Sequence, residues 1–161
     1  MRIDWFVIML CACWSLPAAA GYTCTDYRGQ SVPTLYTTDI DDGAKARQTD
    51  DGPVILANQA VLSHFSEVMN TFVYAHECAH HALGHLKHRT SNRQIEQAAD
   101  CWAARTLMHN GWFDAQDLRQ VQWVIEQYGK QDAVHPQPHL RAKNLMRCLD
   151  EDMLALSDAF E

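Results

Sequence analysis

Residues 76 to 80 read His-Glu-Cys-Ala-His. Positions i and i+4 of a helix lie one turn apart on the same face, so His76 and His80 can aim both imidazoles at one metal ion. Glu77, next to them, is a carboxylate able to take and return a proton. This H-E-x-x-H spacing is the one that lets a zinc ion activate water for hydrolysis. The chain has nine histidines, so the pentapeptide alone decides nothing and the surroundings must.

The surroundings supply a third ligand. Glu96 and Asp100 form E-x-x-x-D, again one helical turn apart, on a helix expected to start at Ser91 or Asn92 and stop at Asn110-Gly111. A lone glutamate is normally solvated. Here a two-histidine motif lacks one protein ligand, and a glutamate from the next helix is a standard supply, so Glu96 is the expected third ligand. A zinc-bound imidazole usually donates its other N–H to a carboxylate, and Asp100 is placed to receive that bond from His76 or His80. Ala99 and Ala103 lie near the same face and leave room for another helix. The longer motif H-E-x-x-H-x-x-G-x-x-H fails, because its third histidine would fall on Leu86. His81, His85 and His88 are therefore read as surface residues or as supports behind the ligands.

Several elements must position these groups. Leu62, Phe65, Met69, Phe72, Val73, His76, His80 and Leu83 make one stripe at helical spacing, so a long helix is expected to carry both histidines inward, with Gly84 as its stop. Pro53 to Ala57 reads as a short strand, and Val32 to Thr37 is strand-like. Between them Asp39, Asp41, Asp42, Asp50 and Asp51 with Gly43 and Gly52 suggest a polar loop, without the spacing of a calcium-binding loop. Asp114 opens a scaffold helix with Leu118, Val121, Ile125 and Tyr128 on one face, ended by Gly129. His135-Pro136-Gln137-Pro138-His139 is a rigid turn into a last helix bearing Leu140, Leu145, Met146 and Leu149. Arg141 sits in that helix's first turn, where the dipole disfavours a cation, so either a partner stands nearby or the side chain is simply on the surface. The acidic tail beyond Asp150 is expected to fray.

A length of 161 residues fits one modest domain with a real core. Arg2, the apolar run Trp5 to Leu16 and Ala18-Ala19-Ala20 predict a signal peptide over residues 1–20, leaving a single domain over 21–161. Nothing after residue 21 is apolar enough to span a bilayer, so no stable membrane insertion is expected once the signal is gone. An uncleaved anchor is the competing reading. Removing Arg2 and Asp4 together leaves the net charge at −7, a poor balance for binding nucleic acid. Four cysteines then remain, Cys24, Cys78, Cys101 and Cys148. In an exported protein they suggest two disulfides, with three pairings open. If the two motif helices meet at a metal, Cys78 with Cys101 is the natural staple, leaving Cys24 with Cys148. No C-x-x-C pair supports a cysteine-ligated zinc.

With H-E-C-A-H, E-Q-A-A-D and H-P-Q-P-H-L-R in this order, the chain resembles the gluzincin zinc metallopeptidases. It is most similar to the group of HtpX-type membrane proteases, CAAX prenyl proteases and their small soluble relatives, over about residues 53 to 147. The resemblance implies an α+β, mostly helical, minigluzincin-like domain with a small N-terminal sheet packed on the active-site helices. It also implies that His135 or Arg141 helps stabilise the oxyanion of the reaction. The membrane helices of the larger relatives are missing, and the cysteines beside both motifs suggest an exported variant.

The expected chemistry is that of a periplasmic or secreted zinc metalloendopeptidase acting on a peptide or protein substrate. Zn2+ on His76, His80 and Glu96 keeps one position for water, and Glu77 serves as general base and then acid. The strand near Val54 to Ala57 is expected to pair with an extended peptide along its edge. A non-catalytic zinc-binding interaction module and an exported enzyme for cell-wall peptides are the alternatives. The sequence gives little sign of a specificity pocket.

Overall fold

In the computed structural model of the protein the described residues are 23–87, 92–129 and 137–158. The expected α+β class is what forms: a three-stranded sheet comes first and helices follow. The predicted signal, His88 and His135 lie outside the described residues.

Strand β1 spans Thr34–Tyr36, β2 Ala44–Thr49 and β3 Gly52–Ala57. Their order is β1-β3-β2, with β3 parallel to β1 and antiparallel to β2. Two expectations change here. The stretch expected as a polar loop contains β2, which forms a hairpin with β3 across Asp50-Asp51. Aspartate is a favoured residue in such a tight turn. Gly52 has a φ of +128°, which L side chains rarely adopt. In addition, β3 has no free edge, because β1 and β2 flank it. Its near-continuous apolar sequence is that of a central strand, with Ile55 fully buried. The edges belong to β1 and β2, and β2 is the one beside α2.

Helix α1 spans Gln59–Leu62 and α2 Glu67–Ala82, so the expected long helix is broken. The cause is local. His64 and Phe65 close a turn onto Val61 and Leu62, and Ser66 caps α2 by accepting the Met69 N–H at 3.3 Å. The apolar stripe survives from Met69 to His80, while Leu83 is exposed. Gly84, with φ +70°, ends α2 as expected and turns the chain into a 3-10 turn at His85–Lys87.

Helix α3 spans Arg93–His109, with the Asn92 side chain capping Gln94 and Ile95 at 3.0 Å each. Helix α4, Ala115–Tyr128, starts in a reciprocal Asp114–Asp117 capping box. Helix α5, Pro138–Asp158, continues past Asp150, where fraying was expected.

Two apolar clusters hold these elements together. Phe72 and Ala75 of α2, Leu107 of α3, Leu118 and Val121 of α4 and Leu145 of α5 form the larger one. The smaller joins Val32, Ala44 and Ile55 of the sheet region to Cys78 of α2. Ala75 and Ala79 of α2 and Ala99 and Ala103 of α3 are all fully buried. With no side chain beyond Cβ, these alanines let the two motif helices approach closely, which is what brings Glu96 to the histidines.

The disulfides correct the expected pairing. Cys24 joins Cys78, and Cys101 joins Cys148. Cys78 follows Glu77 and points to the sheet side of α2, where Cys24 lies, while Cys101 faces α5. The first bond fixes the N-terminal arm to α2, helped by the Tyr27 N–H donating to the His81 carbonyl at 3.0 Å. Disulfides persist in oxidising compartments, so the pair belongs outside the cytoplasm. Among the described residues, no helix is long and apolar enough to cross a membrane.

Candidate metal centre

The buried face of α2 carries His76 and His80, and the first turn of α3 carries Glu96 to meet them. The Nε2 atoms of the two histidines are 3.3 Å apart. Glu96 Oε2 stands 3.3 Å from His76 Nε2 and 3.7 Å from His80 Nε2. A tetrahedral ion with bonds near 2.0–2.1 Å separates its ligand atoms by roughly 3.3–3.4 Å. The three donors therefore fit a zinc-sized ion, and among the described residues they form the one such group of His, Cys, Asp or Glu. Burying two imidazoles and a carboxylate this closely is costly unless a cation or shared protons compensate.

Asp100 stands behind His76. Its Oδ1 is 2.8 Å from His76 Nδ1, which leaves Nε2 directed at Glu96. Arg141 holds the same carboxylate through Nε to Oδ2 and Nη2 to Oδ1, each at 2.7 Å. Burial alone would push the Asp100 carboxyl up, but the Arg141 charge and hydrogen bonds, with His76, hold it down to about 2. Burial likewise pulls the His76 imidazole down. The hydrogen bond and charge of Asp100, then Glu96 and Glu77, outweigh it and raise His76 to about 9 in the metal-free chain. Such displaced pKa values within one cleft mark a candidate functional site.

Glu77 is half-buried in the same cleft. Its Oε2 accepts the Ala46 N–H of β2 at 2.6 Å. That bond aims the carboxylate at the β2 edge of the sheet. In the β2–β3 ladder, the Ile55 N–H and the Ala57 carbonyl bond on the β1 side, so residues 54 and 56 serve β2. Lys45 and Arg47 pair with them, and Ala44, Ala46 and Gln48 turn their backbone groups outward.

One family model matches residues 34–129, more than half of the 161 residues: a peptidase family, the IrrE N-terminal-like domain. The chain belongs to this family. Nothing among curated proteins or among solved structures matches it significantly. The IrrE N-terminal-like family is zinc-metallopeptidase-like, which agrees with the coarser part of the sequence resemblance. The match does not extend to the HtpX and CAAX-protease group. The His-Pro segment and Arg141, which carried that finer likeness, fall after residue 129, beyond the span matched to the IrrE N-terminal-like domain.

Of the residues singled out in the sequence, the structure brings together His76, Glu77, His80, Glu96, Asp100 and Arg141. Arg141 reaches the cleft with its Nε and Nη2 committed to Asp100. His81 is buried and bonds the Val54 carbonyl through Nε2 at 3.0 Å, tying α2 to β3. His85 places Nδ1 3.2 Å from His80 Nδ1.

The sequence did not reveal the Ala46 contact or the apolar cleft. The cleft, of about 390 Å3, is lined by the triad, by Met69, Phe72 and Val73 of α2, and by Val61, Val124 and Tyr128. The alternation of Ala44 and Ala46 with the charged Lys45 and Arg47 was the available strand signal. Alanine is too weakly apolar to make it stand out.

Proposed function

We propose that the protein is an exported zinc-dependent peptidase, periplasmic or secreted, that cleaves extended peptides at the His76–His80–Glu96 centre. The observation that carries this reading is the half-buried Glu77 carboxylate in the same cleft as a zinc-sized triad. A purely structural site has no use for such a base, and usually fills its fourth position with a protein ligand.

A zinc ion here would supply a water of near-neutral pKa and polarise the scissile carbonyl. Glu77 takes the proton of that water and returns it to the departing amine. The Ala46 N–H keeps Glu77 facing the cleft. Asp100, itself held by Arg141, fixes the His76 ring. The outward carbonyls of Ala44, Ala46 and Gln48 pair with an extended peptide laid along β2, a role first expected of β3. The apolar cleft beside the triad takes one bulky side chain of that peptide. Arg141 lines the cleft and brings a cation to the oxyanion, as the resemblance implied. Residues 1–20 serve as the export signal of a single domain over 21–161, and the two disulfides support export.

The test is Glu77→Gln in zinc-loaded protein against a peptide library. Retained zinc with lost hydrolysis is expected. Hydrolysis equal to wild type would sink the mechanism, and wild-type protein that binds zinc but cleaves nothing would favour an interaction module instead.

A further inference from the structure

The two histidines of the triad have different partners behind them. His76 has Asp100 behind it, whereas the far nitrogen of His80 meets a second imidazole. His85 Nδ1 stands 3.2 Å from His80 Nδ1, with the rings edge to face at 69° and centroids 5.2 Å apart. Gly84 makes this approach possible, since its φ of +70° turns the chain back onto the end of α2.

The proton count at this contact has one solution compatible with a metal. A neutral imidazole carries one N–H, and its other nitrogen offers a lone pair. His80 Nε2 is the atom that faces His76 Nε2 and Glu96. For that nitrogen to donate to a metal, the His80 proton must sit on Nδ1. His85 Nδ1 is then the acceptor, and the His85 proton lies on Nε2. The opposite assignment, with His85 Nδ1–H donating, puts the His80 proton on Nε2 and blocks ligation.

We infer that His85 is a positioning residue for the metal centre: its Nδ1 accepts the His80 Nδ1–H and holds the His80 Nε2 lone pair toward His76 and Glu96. It does for His80 what Asp100 does for His76, with a neutral acceptor in place of a carboxylate. The inference rests on reading the triad as a metal site.

The experiment measures zinc affinity by chelator competition in wild type, His85→Ala and His85→Asn. It adds nitrogen-15 NMR of the histidines in zinc-loaded wild type. An asparagine Oδ1 can accept a proton near the place of His85 Nδ1. The alanine variant is expected to lose about 10–100-fold in zinc affinity, the asparagine variant to recover most of it, and both metal-free variants to melt near wild type. The spectra are expected to place the His80 proton on Nδ1 and the His85 proton on Nε2. Wild-type affinity in His85→Ala, or a proton on His85 Nδ1 in the zinc form, would overturn the assignment. Complete loss of zinc in both variants would make His85 a ligand and overturn it too. Wild type that binds no zinc removes the metal reading itself, a result visible without any variant. The spectra need only wild type, so a variant that fails to fold leaves the test intact.

Discussion

Arg141 grips Asp100 through two nitrogens, each at 2.7 Å, and Asp100 in turn stands 2.8 Å from His76 Nδ1. A cation in the first turn of α5, where the helix dipole opposes it, is thus fixed by a buried carboxylate on α3. Arg141→Met leaves that carboxylate buried without its cation. Breaking such a pair costs about 3–5 kcal/mol, and loss of support behind a ligand weakens metal binding about 10–100-fold. Arg141→Lys keeps the charge without the two-pronged geometry and is expected to fall between. Denaturant melts of the metal-free protein and zinc titration of each variant check both effects.

The same chain of contacts sets a pH dependence. In the metal-free fold His76 is raised from 6.5 to about 9, so the folded state holds that proton more tightly than the unfolded one. Its contribution to stability is complete below pH 6.5 and is lost as the pH climbs to about 9. Asp100 is lowered from 3.8 to about 2, so its contribution is complete above 3.8 and is lost as the pH falls toward 2. Zinc needs the unprotonated His76 nitrogen, so its affinity runs against the first trend, rising about tenfold per pH unit below pH 9. Metal-free stability and chelator-competition affinity, both measured from pH 6 to pH 9, should move in opposite directions. Parallel trends would exclude His76 as the controlling group.

The disulfides make a prediction of their own. Cys24–Cys78 closes a separation of 54 residues and Cys101–Cys148 one of 47. Replacing either pair by serines is expected to cost about 2–4 kcal/mol. Loss of Cys101–Cys148 also frees α5 from α3 next to Asp100, so only that variant should weaken zinc binding as well. Peptide mapping without reductant checks the pairing directly. A Cys78–Cys101 peptide would contradict the arrangement.

What the sequence made legible follows from where spacing alone is decisive. His76, His80, Glu96 and Asp100 are four residues apart in pairs, and helical periodicity leaves little choice about which face they share. The caps at Asn92, Asp114 and Gly84 were legible because their chemistry is local. The pairing of Cys78 was not, since neighbours in sequence point to different sides of a helix and direction is settled only by packing. Strand β2 escaped because its buried positions are alanines, and with it went the identity of the edge beside α2 and the contact to Glu77. The break at Ser63 to Ser66 lies within a continuous apolar stripe, so periodicity hid it. His85 fits no ligand spacing, and its approach to His80 depends on the backbone of Gly84.

The apolar cleft gives the sharpest statement about substrate. Val124 of α4 is half-buried and lines the cleft that also contains Val61, His76 and Glu77. A peptide held along β2 with its scissile bond near Glu77 must place a flanking side chain in that cleft. Burying a leucine or phenylalanine side chain is worth about 1.5–3 kcal/mol, which corresponds to roughly 10–150-fold in kcat/KM over alanine at the same position. Val124→Glu puts a charge in the cleft on an element, α4, that supplies no metal ligand. It should abolish that preference and raise the relative rate for lysine or arginine, with zinc content unchanged. A peptide series varied at one position, run with both proteins, checks it. An unchanged preference in the variant would place the bulky side chain elsewhere, even with hydrolysis intact.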